Sequence, residues 1–259
     1  MKEQTPTICL VANFKYLYKN FPRIFYEIRT KGCFKGEILI ITNFISPTFF
    51  IKQIKKKNNV SILRFKKIKF EKAARKSFKE LNVKPNRYLT KQFQWNKLYL
   101  FHPKIKNWKY IFYLDINMTI HSDISSLLSI YPNNELLARE DGYPDFNWSL
   151  ASQFDNTHIK YNDLKNNFNL DVKNYFQTGL MYFDTSIISS KTLEDILSLV
   201  NQYPLSITNE QGILNLYFLF IKNQYKSLVE RVGGKLTYYY WMVDNEEVMI
   251  TKAKRTKFK

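Results

Sequence analysis

The stretch YIFYLDINMTI, Tyr110 to Ile120, contains the most apolar predicted strand of the chain. This strand is the strongest indication of the fold. Its first five residues show no polar alternation, which is typical of a strand buried on both faces of a sheet. The apolar run ends in a lone carboxylate, Asp115, and an amide, Asn117, follows two residues later. An Asp at a strand end often only begins a turn, but it can also hold a divalent cation there.

Other segments of the first half repeat this pattern. Three further strands are predicted: TICLVA (Thr7 to Ala12), EILIIT (Glu37 to Thr42) and VSILRF (Val60 to Phe65). Two helices are predicted between strands: one opened by Pro22 and stopped at Gly32, and a long one from about Arg87 to Phe101. Apolar strands that alternate with helices indicate an α/β fold with a mostly parallel central sheet flanked by helices.

The second half is less regular. It predicts a strand around Gly179 to Phe183, a helix from Lys191 to Tyr203, and a helix over Thr208 to Phe220 capped by Thr208 or Asn209. No internal repeat, low-complexity segment or flexible linker divides the chain. We therefore expect one domain over residues 1–259.

Composition narrows the class of protein. The chain has 259 residues, of which 45% are hydrophobic, so it can bury a large core. Its two cysteines, Cys9 and Cys33, form no CxxC or Cys/His cluster, which argues against a zinc site or a disulfide scaffold and fits a reducing compartment. The first apolar run is too short for a signal peptide and no window suits a membrane span, so we expect a cytoplasmic protein.

The charge is strongly positive. The formal charge is +18, fifteen Lys or Arg against two Glu lie between Lys52 and Lys91, and the tail KAKRTKFK (Lys252 to Lys259) adds five more basic residues. Such a field attracts nucleic acid, anionic surfaces or phosphorylated small molecules. Compositional bias explains many of the surface lysines equally well.

Five further segments occur in a fixed order along the chain: ANFKY with Asn13 and Tyr16, WNKLYLF with Lys97, IFYLDIN with Asp115, QTGLMYFD with Gly179, and EQGILN with Glu210. Together they resemble the GT-A glycosyltransferases, especially the family-eight and glycogenin-like enzymes. These segments extend over about Ile8 to Phe218, most of the chain, and EQGILN is the most specific of them. The resemblance implies one GT-A (Rossmann-like) domain, with a nucleotide-binding half (1–120) and an acceptor and catalytic half (121–259).

The resemblance also implies an activity and a site. The expected reaction transfers a sugar, with retention, from a nucleotide-diphosphate donor such as a UDP-sugar to a hydroxyl of a glycan, protein or other acceptor. The residues implied at the donor are Ala12, Asn13, Tyr16, Lys97, Asp115, Asn117, Gln177 and Gly179. Glu210 and Gln211 are implied as the catalytic pair that faces the reacting carbon and the acceptor hydroxyl.

The metal site departs from the family pattern. The resemblance implies Mn²⁺ or Mg²⁺ on Asp115, with Asn117 giving a neutral oxygen from the same side of an extended chain. The family's third ligand, a His near the C-terminus, has no counterpart; the oxygen donors in that region are Asp244, Glu246 and Glu247. Either the donor diphosphate largely holds a loosely bound metal, or basic residues replace part of its charge: Lys252, Lys254 and Arg255. Asp115 at the strand end favours the metal.

The acceptor site is expected in the segment REDGYPDFNWSLASQF (Arg139 to Phe154). Aromatic faces and carboxylates commonly hold sugars, and this segment offers Asp141, Tyr143, Asp145 and Trp148. An ordinary loop that packs Trp148 into the core is the alternative. His121 lies near the site, but a lone His is more often structural than catalytic.

Three other functions are alternatives to glycosyl transfer. The basic charge with interleaved aromatics in ILRFKKIKF would suit a nucleic-acid-binding protein, although no dedicated nucleic-acid motif is present. A nucleotidyltransferase would need a Gly-rich loop after the first strand, and VANFKYLYKN has no glycine. The missing metal ligands would suit a donor-binding module without turnover.

Overall fold

The computed structural model of the protein describes residues 5–57, 59–81, 92–141, 147–232, 240–241 and 248–252. Several residues singled out above lie outside this part of the chain: Tyr143, Asp145, Asp244, Glu246, Glu247, Lys254 and Arg255.

A seven-stranded sheet forms the centre of the molecule. In spatial order its strands are β3 (Val60–Phe65), β2 (Ile38–Asn43), β1 (Thr7–Val11), β4 (Tyr110–Leu114), β7 (Phe176–Asp184), β6 (Leu136–Glu140) and β8 (Tyr225–Ser227). All of them except β7 run in one direction, so the sheet is mostly parallel, as the sequence predicts. A second sheet contains β5 (Met118–Ile120), β10 (Ile250–Lys252) and β9 (Tyr240–Trp241).

Side chains of the central strands are buried on both faces of the sheet. In β4, Ile111 and Tyr113 join one hydrophobic cluster, while Phe112 and Leu114 join the other. This division follows from the two-residue period of a strand, which sends successive side chains to opposite faces. Continuous apolar runs were therefore a sound signal for this sheet. They also place Asp115, two residues beyond Tyr113, at the edge of the sheet where β4 ends.

Helices cover the sheet. The α-helices are α1 (Phe14–Arg29), α2 (Thr48–Lys55), α3 (Lys72–Glu80), α4 (Ser125–Leu128), α5 (Tyr161–Asn167), α6 (Thr192–Gln202), α7 (Glu210–Asn215) and α8 (Leu228–Arg231). Short 3₁₀ segments lie at Pro103–Asn107, Leu150–Gln153 and Thr185–Ile187. None of the helices in the described ranges is long and apolar enough to cross a membrane.

Helix α1 begins earlier than the sequence pattern predicted. Asn13 is its N-cap, and the Asn13 side chain accepts a hydrogen bond from the backbone N–H of Tyr16. Pro22, predicted as the first helical residue, lies inside α1 instead. The missing N–H of a proline removes one helical hydrogen bond, but here the cap and the buried face of α1 maintain the helix on both sides of Pro22.

The long helix predicted over Arg87 to Phe101 also differs from what the structure shows. Its described part, Gln92–Phe101, is a 3₁₀ segment, and residues 87–91 lie outside the described ranges. Trp95, Leu98 and Phe101 are all buried. Their spacing of three residues matches the three-residue turn of a 3₁₀ helix. Leu100 is buried as well, so more than one side of the segment faces the core.

The last predicted helix divides into two parts. After α7 the chain continues as a π-helix, Leu216–Ile221. Asn209 occupies the N-cap position of α7 with a φ of 60°, but its side chain makes no capping bond. The Asn209 amide donates to Gln94 instead, which ties the start of α7 to the 3₁₀ segment Gln92–Phe101.

Candidate active site

The reversed direction of β7 brings two chain segments together at the C-terminal end of β4. Leu114 pairs with Leu180, and the backbone N–H of Asp115 donates to the carbonyl oxygen of Gly179 at 2.8 Å. Because β7 is antiparallel to β4, its first residues lie where β4 ends. Gly179 is thereby placed beside Asp115, and Gln177 lies two residues earlier on β7. That these two residues contact a donor stays a prediction.

Lys97 is the buried cation of this region. It extends from the 3₁₀ segment Gln92–Phe101, and its ammonium lies 2.7 Å from Oε1 of Glu210 and 3.2 Å from Oδ1 of Asp115. The Lys97 ammonium also donates to the backbone carbonyl and the hydroxyl of Thr178, at 3.1 and 3.2 Å. One lysine therefore joins β4, β7 and the first turn of α7.

Asp115 is engaged on both carboxylate oxygens. The hydroxyl of Tyr113 donates to Oδ1 at 2.6 Å, and the ammonium of Lys252 lies 3.1 Å from Oδ2. We call Lys97, Asp115, Glu210 and Lys252 the lysine–carboxylate cluster. It contains two positive and two negative charges at the edge of the sheet.

The ionisation of the cluster follows from these contacts. Burial by itself raises the pKa of Asp115, but the nearby ammonium groups of Lys97 and Lys252 outweigh it and hold that pKa well below its usual value. Burial alone would lower the pKa of Lys97, and the two carboxylates reverse the sign of the net shift. Lys97 and Asp115 are therefore charged at neutral pH.

Glu210 and Gln211 differ in their surroundings. Glu210 is 2% exposed, and its Oε1 accepts from the Thr178 hydroxyl as well as from Lys97. Gln211 is partly exposed, and its amide nitrogen donates to Asp141 at 3.0 Å and to Gln153 at 2.9 Å. Of the two residues expected to be catalytic, Glu210 contacts the buried lysine and Gln211 lines the more open side.

Asp141 belongs to a polar network on that open side. Its Oδ2 accepts hydrogen bonds from Gln211, from Gln153 at 3.2 Å and from the Tyr175 hydroxyl at 3.1 Å. Burial raises the pKa of Asp141 above its usual value, although the bonds from Tyr175 and Gln211 oppose the shift. Among the other acceptor candidates, Trp148 is 40% exposed, and Tyr143 and Asp145 lie outside the described residues.

The expected nucleobase contacts lie at the end of β1. Ala12 is buried, Asn13 caps α1, and Tyr16 is 42% exposed on the first turn of that helix. Because β1 and β4 are parallel neighbours, these residues lie at the same edge of the sheet as Asp115. The capping role gives Asn13 a structural reason to be there, separate from any ligand.

The described residues do not fit a divalent cation. Asp115 already contacts two ammonium groups, and the backbone N–H of Met118 donates to the Asp115 carbonyl, so Asp115 to Met118 forms a turn and not the extended chain expected to align Asn117. His121 contacts Thr251 at 2.7 Å, between β5 and β10. No group of three or more His, Cys, Asp or Glu side chains in this part of the chain could hold a metal ion.

Several residues of the region had no distinguishing sequence signal. Tyr113 and Thr178 look like ordinary strand residues, Gln153 ends a short 3₁₀ segment, and Tyr175 lies just before β7. The contacts of Thr178 with Lys97 and of Tyr175 with Asp141 join segments far apart in the chain. Period-two alternation from Asp115 back to Tyr113 was the one usable signal, because it places both on one face of β4.

Comparisons with known proteins identify the family and the fold of the chain. The sequence model of the family described as glycosyl transferase family 8 matches residues 12–233 of this chain. No curated protein matches the sequence.

Solved structures share the fold at low sequence identity. The galactosyltransferase LgtC, solved with donor and acceptor sugar analogs, has a TM-score of 0.57 at 13% identity, over 95% of this chain and 86% of that one. Core-mannan synthase A (CmsA/Ktr4) from Aspergillus fumigatus in its Mn/GDP form has a TM-score of 0.56 at 10% identity, over 87% and 73%. The bifunctional glycosyltransferase WbbM has a TM-score of 0.51 at 14% identity, and the match covers 92% of this chain but only 40% of WbbM. This chain thus spans less than half of that larger protein.

Proposed function

Because the chain belongs to glycosyl transferase family 8, we propose that it transfers a glycosyl group from a nucleotide-diphosphate sugar to a hydroxyl acceptor. The observation that carries the proposal is the buried ammonium of Lys97, held beside Asp115 where β4 ends and β7 begins. Ligands of open α/β sheets bind at the C-terminal ends of the parallel strands. A fixed cation at that edge suits a leaving group that develops negative charge.

The reaction requires one bond to break and one to form. The bond between the anomeric carbon and the diphosphate oxygen breaks, and its electron pair goes to the diphosphate. The acceptor hydroxyl oxygen forms the new bond to that carbon and gives up its proton to the departing phosphate oxygen. Attack from the side of the leaving group retains the anomeric configuration, which is the outcome we propose for this enzyme.

Each part of the site has a role in this scheme. Lys97 stabilises the departing diphosphate, and Glu210 positions Lys97 by its 2.7 Å contact. Gln177 and Gly179 lie beside the sugar. Because Gly179 has no Cβ, the sugar can approach its backbone closely. Gln211 and Asp141, joined by a 3.0 Å hydrogen bond, face the acceptor hydroxyl. Trp148, with Tyr143 and Asp145, completes the proposed acceptor side.

The donor base is proposed to lie against Ala12, Asn13 and Tyr16, at the end of β1. We favour UDP, on the resemblance of ANFKY to the family pattern. The CmsA structure, which has a similar fold, is a Mn/GDP form, so GDP and GDP-sugars are the donors to compare with UDP and UDP-sugars. Mn²⁺ or Mg²⁺ would neutralise the diphosphate if one bound at Asp115 and Asn117, but the described residues do not fit it, and no step here depends on it.

A thermal-shift panel tests the donor assignment. UDP, GDP, UDP-sugars and GDP-sugars are added at millimolar concentration, each with and without Mn²⁺, since a ligand that binds the native state raises the melting temperature. We expect UDP and at least one UDP-sugar to raise it, and a matched assay to detect transfer or slow hydrolysis of that sugar. A panel in which no nucleoside diphosphate changes the melting temperature would remove the donor assignment.

A further inference from the structure

The last described strand places a second lysine on Asp115. Lys252 ends β10, which pairs antiparallel with β5, and Lys252 is opposite Met118 in that pairing. Met118 is also the residue whose N–H closes the turn begun at Asp115. The fold itself therefore fixes the backbone of Lys252 next to the turn at the end of β4, which brings its ammonium to 3.1 Å from Asp115.

The two lysines of the cluster contact different carboxylate oxygens. Lys97 has its shortest contact, 2.7 Å, with Glu210, and Lys252 contacts the Asp115 oxygen that Lys97 does not. A divalent cation on Asp115 would have to displace Lys252 or remain within a few ångströms of two ammonium groups, and like charges at that distance repel strongly. The Lys252 side chain is 28% exposed, so part of it is accessible to a ligand at this edge of the sheet.

We propose that Lys252 supplies, with Lys97, the positive charge that receives the donor diphosphate, so that the enzyme needs no divalent metal. Asp115 then orients two lysines and does not act as a metal ligand. This proposal rests on the proposed glycosyl transfer. It differs from the metal-assisted reaction that the position of Asp115 first suggested.

Three variants isolate the charge of Lys252. Lys252→Met removes the ammonium and keeps most of the length, Lys252→Arg keeps a charge, and Lys226→Met changes an exposed lysine of β8 as a matched control. For each protein, transfer is measured in excess EDTA and across a Mn²⁺ titration. The thermal shift caused by UDP in EDTA and the binding of Mn²⁺ by electron paramagnetic resonance give two further measurements.

The expected results are specific. Wild-type transfer and the UDP shift persist in EDTA, and Mn²⁺ binds no more tightly than to a protein surface. Lys252→Met lowers transfer in EDTA by about a hundredfold, Lys252→Arg recovers part of that loss, and Lys226→Met changes nothing. Donor binding or transfer that needs Mn²⁺ overturns this proposal and leaves glycosyl transfer intact. Failure of every nucleotide sugar to bind, with or without Mn²⁺, overturns both.

A group of aromatic side chains is exposed on α1, on α2 and in the turn before α2. Phe14 and Tyr18 of α1 contact Phe50 of α2, with ring centroids 5.2 and 6.2 Å apart. Phe44 and Ile45 lie in the turn between β2 and α2, and Phe49 follows on the first turn of α2. We call these six residues the aromatic surface. Ile45 is 81% and Phe49 66% exposed, and Phe14, Tyr18 and Phe44 are exposed as well, so several large apolar side chains of these segments face solvent.

Basic side chains surround the aromatic surface. The exposed lysines on the same two helices and just after α2 are Lys15, Lys19, Lys52, Lys55, Lys56 and Lys57. The segments Ala12–Tyr26 and Ile38–Lys57 contain no Asp or Glu. Exposed aromatics ringed by lysines match the interfacial region of a bilayer that carries anionic lipids, since the rings enter the headgroup layer and the lysines meet its charge.

We infer that the aromatic surface docks on an anionic lipid bilayer. Phe14 directly follows Asn13 at the end of β1, so docking brings that edge of the central sheet to the lipid surface. The charge complementarity selects a membrane as the occupant in preference to an apolar protein partner. Neither the lysine–carboxylate cluster nor the donor assignment is needed for this inference.

Vesicle sedimentation tests whether the aromatic surface binds an anionic bilayer. The vesicles contain phosphatidylcholine alone or phosphatidylcholine with phosphatidylserine. The test variants are Ile45→Ser/Phe49→Ser and Lys52→Gln/Lys55→Gln. Ile159→Ser is the matched control, because Ile159 is 92% exposed outside the aromatic surface. We expect binding only to the anionic vesicles, weakened about tenfold by either double variant and unchanged by the control.

Three results would overturn the inference. The first is wild-type protein that fails to bind anionic vesicles at low salt, and the second is vesicle binding that both double substitutions leave unchanged. The third is self-association of the free protein, measured by sedimentation equilibrium, that Ile45→Ser/Phe49→Ser abolishes while vesicle binding stays unchanged. That result would assign the surface to a second copy of the chain.

Discussion

Lys97 is a buried ammonium that depends on its two carboxylate partners. Glu210 and Asp115 lie within 3.2 Å of it, and Lys97 and Glu210 are almost completely buried. Buried charges remain charged only when they are paired and hydrogen-bonded. The same arrangement that satisfies Lys97 aims its charge at the end of β4, so stability and proposed catalysis depend on the same residue.

We therefore predict that Lys97→Met both destabilises the protein and inactivates it. Removal of one partner from a buried ion pair costs about 3–5 kcal/mol, because the remaining carboxylates lose their counter-charge. Transfer should fall about a hundredfold or more, as it should for Asp115→Ala. Urea unfolding and kcat/KM measure the two effects, with Lys226→Met as the control.

The double variant Lys97→Met/Glu210→Gln separates the two roles. It removes one cation and one anion together, so it should recover part of the lost stability without recovering transfer. Normal transfer by this folded double variant would show that Lys97 takes no part in the reaction.

Asp141 gives a prediction that depends on pH. Burial raises the pKa of folded Asp141 above its unfolded value, so its ionised form costs stability at pH above that raised pKa. The cost disappears below the unfolded pKa of about 4, where both states are protonated. Asp141→Asn should therefore raise the melting temperature at pH 7 by about 1–3 °C, with the gain lost near pH 3.

The Asp141 variant also tests the acceptor role. An Asn oxygen can still accept from Gln211, Gln153 and Tyr175, so the network should survive in Asp141→Asn. If Asp141 faces the acceptor, KM for the acceptor rises while the melting temperature does not fall. Melting curves from pH 3 to 8 and acceptor kinetics at pH 7 measure both, and a lower melting temperature at pH 7 would contradict the assignment.

At the scale of elements, the first turn of α1 combines a cap and a proposed ligand contact. Asn13 accepts the Tyr16 N–H at 3.0 Å, which satisfies one of the free donors at the helix start. A serine can make the same capping bond, but it has no amide to offer a nucleobase. The two functions of Asn13 can therefore be separated by substitution.

We predict that Asn13→Ser keeps the stability of the protein and weakens donor binding. Asn13→Ala should cost about 1 kcal/mol through loss of the cap, whereas Asn13→Ser should be close to neutral. The Kd of UDP should rise in both variants, by about tenfold if the amide contacts the base. Calorimetric titration with UDP measures this, and an unchanged Kd in Asn13→Ser would leave Asn13 with a structural role alone.

The reversed strand β7 is the element that assembles the cluster. All nine of its residues are buried, and its antiparallel pairing brings the first of them to the end of β4. A parallel β7 would have placed its last residues there instead. The direction of this strand therefore decides that Thr178 and Gly179 contact Lys97 and Asp115.

At the scale of the whole molecule, the charge of +18 and the buried Lys97 lead us to expect two kinds of anion binding. The field of exposed lysines is long-range and screened by salt, whereas a contact with buried Lys97 is screened much less. A nucleic-acid-binding protein of this charge would lose affinity steeply with salt. A donor site built on the cluster should not.

We predict different salt dependences for DNA and UDP. Affinity for a random duplex should fall by about a hundredfold or more between 50 and 200 mM salt, whereas the Kd of UDP should rise less than about tenfold. Fluorescence anisotropy with a labelled duplex and UDP calorimetry in the same buffers provide the comparison. A Kd of UDP that rises with salt as steeply as the duplex Kd would contradict a donor site built on the buried cluster.

The sequence by itself determined the apolar strands, their mostly parallel sheet and the family. β3 was predicted at its observed bounds, and β1, β2 and β4 were predicted to within a residue or two, because burial on both faces leaves no polar alternation. The position of Asp115 at the end of β4 followed from the same run. Helix limits were predicted less well. Pro22 was taken as the start of α1, although the Asn13 cap already begins that helix nine residues earlier. The segment before Phe101 was taken as an α-helix, although its described part is a 3₁₀ segment packed against the core.

Only the tertiary structure decided what surrounds Asp115. Lys97 and Glu210 come from segments far apart in the chain, and Lys252 arrives through the pairing of β10 with β5. Local periodicity carries no information about which distant strand will pair, or in which direction. The sequence therefore left a metal and a lysine as alternatives at this carboxylate, and the structure places the Lys252 ammonium there because β10 lies beside the turn that follows β4.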